Sequence, residues 1–142
     1  MKRRKAREYA LQLLFQLDIR KDKPTLTLFK RFWAEEGPDD EVREFTEEIV
    51  KGTFKHLKAI NAAILGSAKN WSLDRMATVD RNVLRLAAYE ILYRMDIPPS
   101  VTINEAIELA KKYGTDESGA FVNGILDSVA RTAGKVDARQ LR

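Results

Sequence analysis

The residues best suited to chemistry stand at the start of the chain. Lys2, Arg3, Arg4, Lys5 and Arg7 crowd around one acid, Glu8, and these five cations against one carboxylate account for the whole net charge of +4, because the other 20 basic and 20 acidic side chains cancel. A concentrated cation cluster on an otherwise balanced protein is the electrostatic footprint of a polyanion, although a basic N-terminus is also a common solubility feature. Arg7, Leu11 and Phe15 follow at intervals of four. On a helix this spacing lines an arginine and an aromatic ring along one edge, which suits the phosphates and bases of RNA. For Phe15 an ordinary packing role at the border of the core carries equal weight.

Catalysis finds no such arrangement. Glu105 and Glu108 fall on adjacent helical turns, but the first reads as a capping residue and the second as a solvated one. There is no glycine-rich phosphate loop and no nucleophile motif. The absence of cysteine removes thiolate chemistry, and a single histidine, His56, argues against a zinc site, so no catalytic residue, metal or cofactor is expected. The lack of cysteine fits a reducing cytoplasm, the expected location. Glu8, Gln12 and Gln16 interrupt any signal-peptide core, and no segment is long and apolar enough to span a bilayer.

These groups need elements to position them. At 142 residues and 44% hydrophobic content the chain can bury its own core. The stretch Thr78 to Tyr93 carries two adjoining apolar stripes, Val79, Val83, Leu86 and Ala87 beside Leu84, Ala88, Ile91 and Leu92. It is predicted to be a central helix touched from several sides, with Asp80, Arg81, Arg85 and Glu90 reaching solvent or partners. Ahead of it, Ala6, Ala10, Leu13, Leu14 and Leu17 predict a first helix over 4–19, flanked by Tyr9. Pro24 suits the first turn of a second helix through Phe29, Phe32 and Trp33, ended by Gly37-Pro38. Asp39 or Asp40 caps a third, long helix running from Val42 to Ile64 with one gap near Gly52.

Trp71 to Met76 reads as a short turn capped by Ser72, with Trp71 plugging a seam between subdomains. Asp96-Ile97-Pro98-Pro99 is a loop, and Thr102-Ile103-Asn104-Glu105 a capping box for a helix that stops at a left-handed Gly114. A last helix begins at 116–118 and buries Phe121, Val122, Ile125, Leu126 and Val129, with Gly124 allowing close approach of a neighbour. From Ala133 the tail is polar and frayed. No run alternates as a strand would, so the fold class is all-α: one domain over 1–142, made of two small helical bundles over 1–66 and 71–132.

Four stretches in order, Trp71-Ser72-Leu73-Asp74-Arg75, Val79 to Arg85, Ile103 to Lys111 and Phe121-Val122-Asn123-Gly124-Ile125-Leu126, with the opening Arg3-Arg4-Lys5-Ala6-Arg7-Glu8, resemble the NusB family of bacterial transcription antitermination factors. The resemblance implies two packed helical bundles and no enzymatic activity. It also implies binding to single-stranded boxA RNA of nascent transcripts, notably of ribosomal RNA operons, together with the small-subunit ribosomal protein NusE in the antitermination complex of RNA polymerase. By motif position Arg3, Arg4, Lys5, Arg7 and Phe15 fall where the family's first helix meets RNA, and Tyr113, Glu117 and Phe121 where its C-terminal part approaches the same strand. Asp80 matches an acidic position on the side used by the ribosomal protein. Phe15 stands where some members carry tyrosine, leaving stacking without a hydroxyl hydrogen bond. From its place on an apolar helix face alone, Phe121 reads as core.

Two other functions compete. One is the RNA-targeting NusB-like module of a ribosomal RNA methyltransferase, which the lack of a cofactor-binding domain in this sequence disfavours. The other is a helical protein-interaction module without RNA. An exposed basic helix with an apolar edge can also pair with a second copy, so a homodimer stays open.

Overall fold

The computed structural model describes residues 2–134. Among them are seven α-helices, one 3-10 turn and no strand: α1 (Lys2–Arg20), α2 (Leu26–Glu36), α3 (Asp40–Lys55), α4 (Leu57–Ser67), the turn Leu73–Arg75, α5 (Thr78–Tyr93), α6 (Pro99–Tyr113) and α7 (Ser118–Thr132). The all-α expectation is met. α5 lies at the centre, packed against α1, α3, α4, α6 and α7. Its two stripes face the core as expected, with Val83, Leu84, Ala87 and Ala88 fully enclosed and Val79 and Leu92 half-buried at the ends. No helix among the described residues is long and apolar enough to cross a membrane.

α2 is held to α1 by aromatic edges. The Tyr9 ring meets Phe32 and Trp33 edge-on at 5.5 and 5.4 Å, and Trp33 Nε1 donates to Glu47 on α3 at 2.8 Å. Thr25, not Pro24, opens the helix, its hydroxyl accepting from the Leu28 N–H. Gly37 ends it in the left-handed region, φ +59°, and Asp39 caps α3 by accepting from the Val42 N–H.

The long third helix is in fact two. At His56 the backbone leaves helical geometry, φ −111° and ψ 22°, so that α4 turns to lie on α5 and α7. The gap near Gly52 marks the close approach: a Cβ there would run into the Tyr89 ring of α5. Gly124 plays no such part, since nothing stands within 4 Å of where its Cβ would be.

Other local expectations change. α6 starts at Pro99, whose missing N–H costs nothing at the first helical position, so Thr102 and Glu105 lie inside the helix and form no capping box. Gly114 is extended, φ −103° and ψ −151°, rather than left-handed; a side chain there would meet Ser118 Oγ and the Ala110 carbonyl. Ser72 makes no capping hydrogen bond, and Trp71 is 48% exposed rather than sealed in a seam. The tail from 135 onward lies outside the described residues.

Candidate nucleic-acid interface

Helical geometry splits the basic cluster by direction. Arg3 and Arg7, four residues apart, rise along the same edge of α1 and both lie over the Phe45 ring, their guanidinium carbons 4.7 and 5.4 Å from its centre. Arg3 stays at the surface. Arg7 does not: it is 3% exposed and forms two 2.8 Å hydrogen bonds to the carboxylate of Glu90 on α5, itself fully buried. Thr102 Oγ1 donates to the same carboxylate at 2.9 Å. The expectations that Arg7 is an exposed RNA contact and that Glu90 reaches solvent are both corrected. Position 7 points at α5, and a buried arginine persists there because Glu90 neutralises it.

The outward residues are balanced by neighbouring acids. Arg4 holds Glu105 of α6 in a bidentate pair, Nε–Oε1 3.0 Å and Nη2–Oε2 2.7 Å. Glu105 is kept below the usual glutamate range, first by that hydrogen bond. Lys2 pairs with Glu41 and Asp39, while Lys5 lies over the Tyr9 ring and 3.9 Å from Glu8. Glu8 also accepts from Lys112 Nζ at 2.6 Å and from the Tyr113 hydroxyl at 3.3 Å. Partial burial pushes the Glu8 carboxyl up, but these hydrogen bonds and the Lys5 charge together hold it below its ordinary value.

Glu8 thereby joins two open clefts. On one side a cleft of about 490 Å³ has Phe15 and Tyr113 in its walls, with Gln12 and Gln16 beside them. On the other, a cleft of about 350 Å³ is lined by Arg4, Lys111 and Lys112 with Glu105 and Glu108. Phe15 and Tyr113 are 37% and 42% exposed, so both rings offer faces rather than filling the core. The structure therefore brings Arg4, Lys5, Phe15 and Tyr113 onto one continuous face. Phe121, half-buried, lies apart from those clefts, its ring 5.6 Å from that of Trp71. Glu117 is exposed at the start of α7 and accepts from the Thr115 hydroxyl at 3.3 Å. Lys111, Lys112 and Glu8 are the members of this face that sequence reasoning missed; the doubled lysine in the last turn of α6 was the available signal.

Asp80, in the first turn of α5, is only 9% exposed, and its Oδ1 is buried with no hydrogen-bond partner in the protein. Neighbouring Arg81 and Arg85 were expected to project outward. Instead both are drawn onto Asp18 of α1, whose Oδ2 accepts from Arg81 Nε at 2.8 Å, Asn82 Nδ2 at 2.8 Å and Arg85 Nη1 at 3.2 Å. Charge neutralisation again explains the inward turn. Among the described residues no group of three or more His, Cys, Asp or Glu is arranged to hold a metal ion.

A family model described as the NusB family matches residues 4–131. The chain is 50% identical over 141 residues to the transcription antitermination protein NusB of Desulfitobacterium hafniense (strain Y51), covering 98% of this chain and 95% of that one. It is 44% identical over 140 residues to the protein of that name from Thermodesulfovibrio yellowstonii, with 92% and 93% covered. Among solved structures, T. maritima NusB superposes with a TM-score of 0.81 at 44% identity, over 91% of this chain and 90% of that one. The antitermination factors NusB and NusE in complex with dsRNA provide a chain that matches with a TM-score of 0.83 at 29% identity, over 92% and 97%.

Proposed function

Because the chain belongs to the NusB family, we propose that it is a transcription antitermination factor that binds the boxA segment of nascent RNA, notably from ribosomal RNA operons, together with the ribosomal protein NusE. The observation that carries this reading is the face on which Phe15 and Tyr113 line one cleft while Arg4, Lys5, Lys111 and Lys112 border it. Unstacked bases of a single strand find two exposed rings there, and the phosphates find cationic heads.

The acids on this face set the terms of binding. Arg4 enters the RNA interface by exchanging Glu105 for a phosphate, and Lys112 by exchanging Glu8, so each phosphate contact costs an existing ion pair. The cations of both pairs stay in solvent, where an ion pair is weak, which leaves the exchange within reach of a polyanion. Arg3, in a neighbouring cleft with Phe45, and Glu117 and Phe121, which lie apart on and just before α7, would meet the same strand as it continues beyond this face. By its motif position, Asp80 in the first turn of α5 is the contact we assign to NusE. The complex then acts as part of the RNA polymerase antitermination assembly.

Fluorescence anisotropy of labelled boxA RNA against a scrambled sequence, with and without NusE, tests the reading. Preferential binding of boxA that tightens with NusE is expected. Equal binding to both sequences would reduce the protein to a nonspecific cationic surface, and no binding at all would favour the helical interaction module. Sedimentation of the free protein decides whether a second copy covers the same face.

A further inference from the structure

A second cleft, of about 650 Å³, opens between the C-terminal end of α1, the loop that follows it, the last turns of α3 and one side of α5. It is distinct from the face described above and shares no residue with its two clefts. Five cationic side chains, Lys21, Lys23, Lys51, Lys55 and Arg85, line it against two carboxylates, Asp18 and Asp22. Asp18 is already committed to Arg81, Asn82 and Arg85, and Lys51 to Glu47. Lys21, Lys23 and Lys55 are in no ion pair with a described residue.

Two features inside the cleft point to a ligand. Thr53, in its wall, is fully buried, and its hydroxyl has no hydrogen-bond partner in the protein. Thr46, two turns earlier on the same helix, donates instead to the Val42 carbonyl at 2.8 Å, so the unmade bond of Thr53 is not the habit of this helix. A buried hydroxyl without a partner is costly to keep. Lys21 adopts a left-handed backbone, φ +53°, at the position after α1 where glycine would be unstrained. Keeping lysine there holds a cation at the rim against a backbone cost.

We propose that this cleft binds a nucleoside phosphate. Its volume falls in the range of small-molecule sites. Phe54 and Leu57 supply an apolar wall for a base, the three lysines without ion pairs meet the phosphates, and the Thr53 hydroxyl is a buried polar group of the wall still without a partner. An acidic peptide would use the same lysines, and the peptide arm of the test separates it from a nucleotide. The ligand is either a free nucleotide or one unit of an RNA strand crossing the cleft, and the proposal stands apart from the RNA face around Phe15.

The test is an amide-resolved NMR titration of the full chain with ATP, GTP, CTP and UTP, with pyrophosphate, with adenosine, with a short oligouridylate and with a Glu/Leu-rich peptide. Nucleotides are expected to shift the amides of residues 21–23 and 53–57, more tightly than pyrophosphate or adenosine alone. Shifts there from the oligonucleotide but not from mononucleotides support the same chemistry with a strand as its source. Lys21→Glu combined with Lys55→Glu, and separately Thr53→Val, are expected to weaken binding at least tenfold while the protein stays folded, since Thr53→Val removes an unpartnered hydroxyl. The proposal is overturned if no probe shifts these amides at about 5 mM, a concentration that detects even weak sites. It is equally overturned if pyrophosphate binds as well as nucleotides, if the variants bind unchanged, or if the peptide is preferred. BoxA binding measured on the same variants reports the other face separately.

Discussion

Arg7 of α1 and Glu90 of α5 meet fork to fork, with both nitrogen-to-oxygen distances 2.8 Å and neither side chain more than 4% exposed. The pair ties the first helix to the central one, and Thr102 ties α6 to the same carboxylate. Removing one member leaves an uncompensated buried charge, which costs about 3 to 5 kcal/mol. Arg7→Ala and Glu90→Ala are therefore each expected to lower stability by about that much in urea unfolding. Arg7→Met combined with Glu90→Met should recover most of the loss, because no charge is then left buried. A double variant as unstable as the singles would mean that the pair itself, rather than its imbalance, carries the stability.

The burial of Arg7 moves the test of RNA binding to Arg4 and Lys5. Both are exposed, so Arg4→Glu with Lys5→Glu should leave the melting temperature nearly unchanged. RNA affinity should fall sharply. For two lost contacts on a single strand, the slope of log affinity against log salt should flatten by about 1.4. An unchanged slope would place the phosphates elsewhere.

Gly52 and Gly124 make opposite predictions. Gly52→Ala drives a methyl into the Tyr89 ring and should destabilise by about 1 to 3 kcal/mol. Gly124→Ala meets open space in an exposed part of α7, and should be neutral or stabilising by about 0.5 to 1 kcal/mol. Thermal melts of the two variants side by side read the difference.

These glycines show where sequence reading stops. Apolar spacing found α5 and its burial on several sides, because a wide hydrophobic surface must be covered whatever covers it. It could not say which glycine faces a ring, since that depends on how distant helices cross. The same holds for charge. Arg3, Arg4, Lys5 and Arg7 are alike in sequence, yet only Arg7 points at α5, and its partner lies 83 residues away. Asp18 drew no attention between Leu17 and Ile19 near the end of α1, although it gathers three donors from α5. Thr102-x-x-Glu105 matched a capping pattern, but the preceding Pro98-Pro99 set the helix start and freed both side chains for long-range partners. Local patterns report periodicity and caps; pairings between distant charges leave no local trace.

Acid should loosen the same links. Partial burial pushes the Asp18 carboxyl up, but the hydrogen bonds of Arg81 and Asn82 and the Arg85 charge outweigh it, so its folded value lies below the ordinary 3.8. Glu105 lies below the ordinary 4.5, mainly through Arg4. A carboxylate depressed in the folded state binds protons more readily when unfolded. Its contribution is fully present above the ordinary value and is lost as pH falls through the folded one. The urea midpoint should therefore fall as pH drops below about 4.5, and the fall should be shallower in Asp18→Asn and Glu105→Gln, which start less stable at neutral pH. Parallel curves for wild type and variants would remove these carboxylates as the source.

Asp80 offers the sharpest division between a structural and a binding role. It stands in the first turn of α5, where the helix dipole favours a negative charge, and its Oδ1 is buried without a partner in the protein. A dipole contact alone contributes about 0.3 to 1 kcal/mol. The desolvation of an unpartnered oxygen works against it, so neutralising the group should be nearly free in the isolated protein. Asp80→Asn, which keeps the shape and removes the charge, is thus expected to shift the melting temperature little. If a cation from NusE completes the site, calorimetric titration should show binding weakened tenfold or more, about 1.4 kcal/mol. A variant that melts far lower while its folded fraction binds NusE normally would make Asp80 a structural residue and move the protein-binding surface off this end of α5.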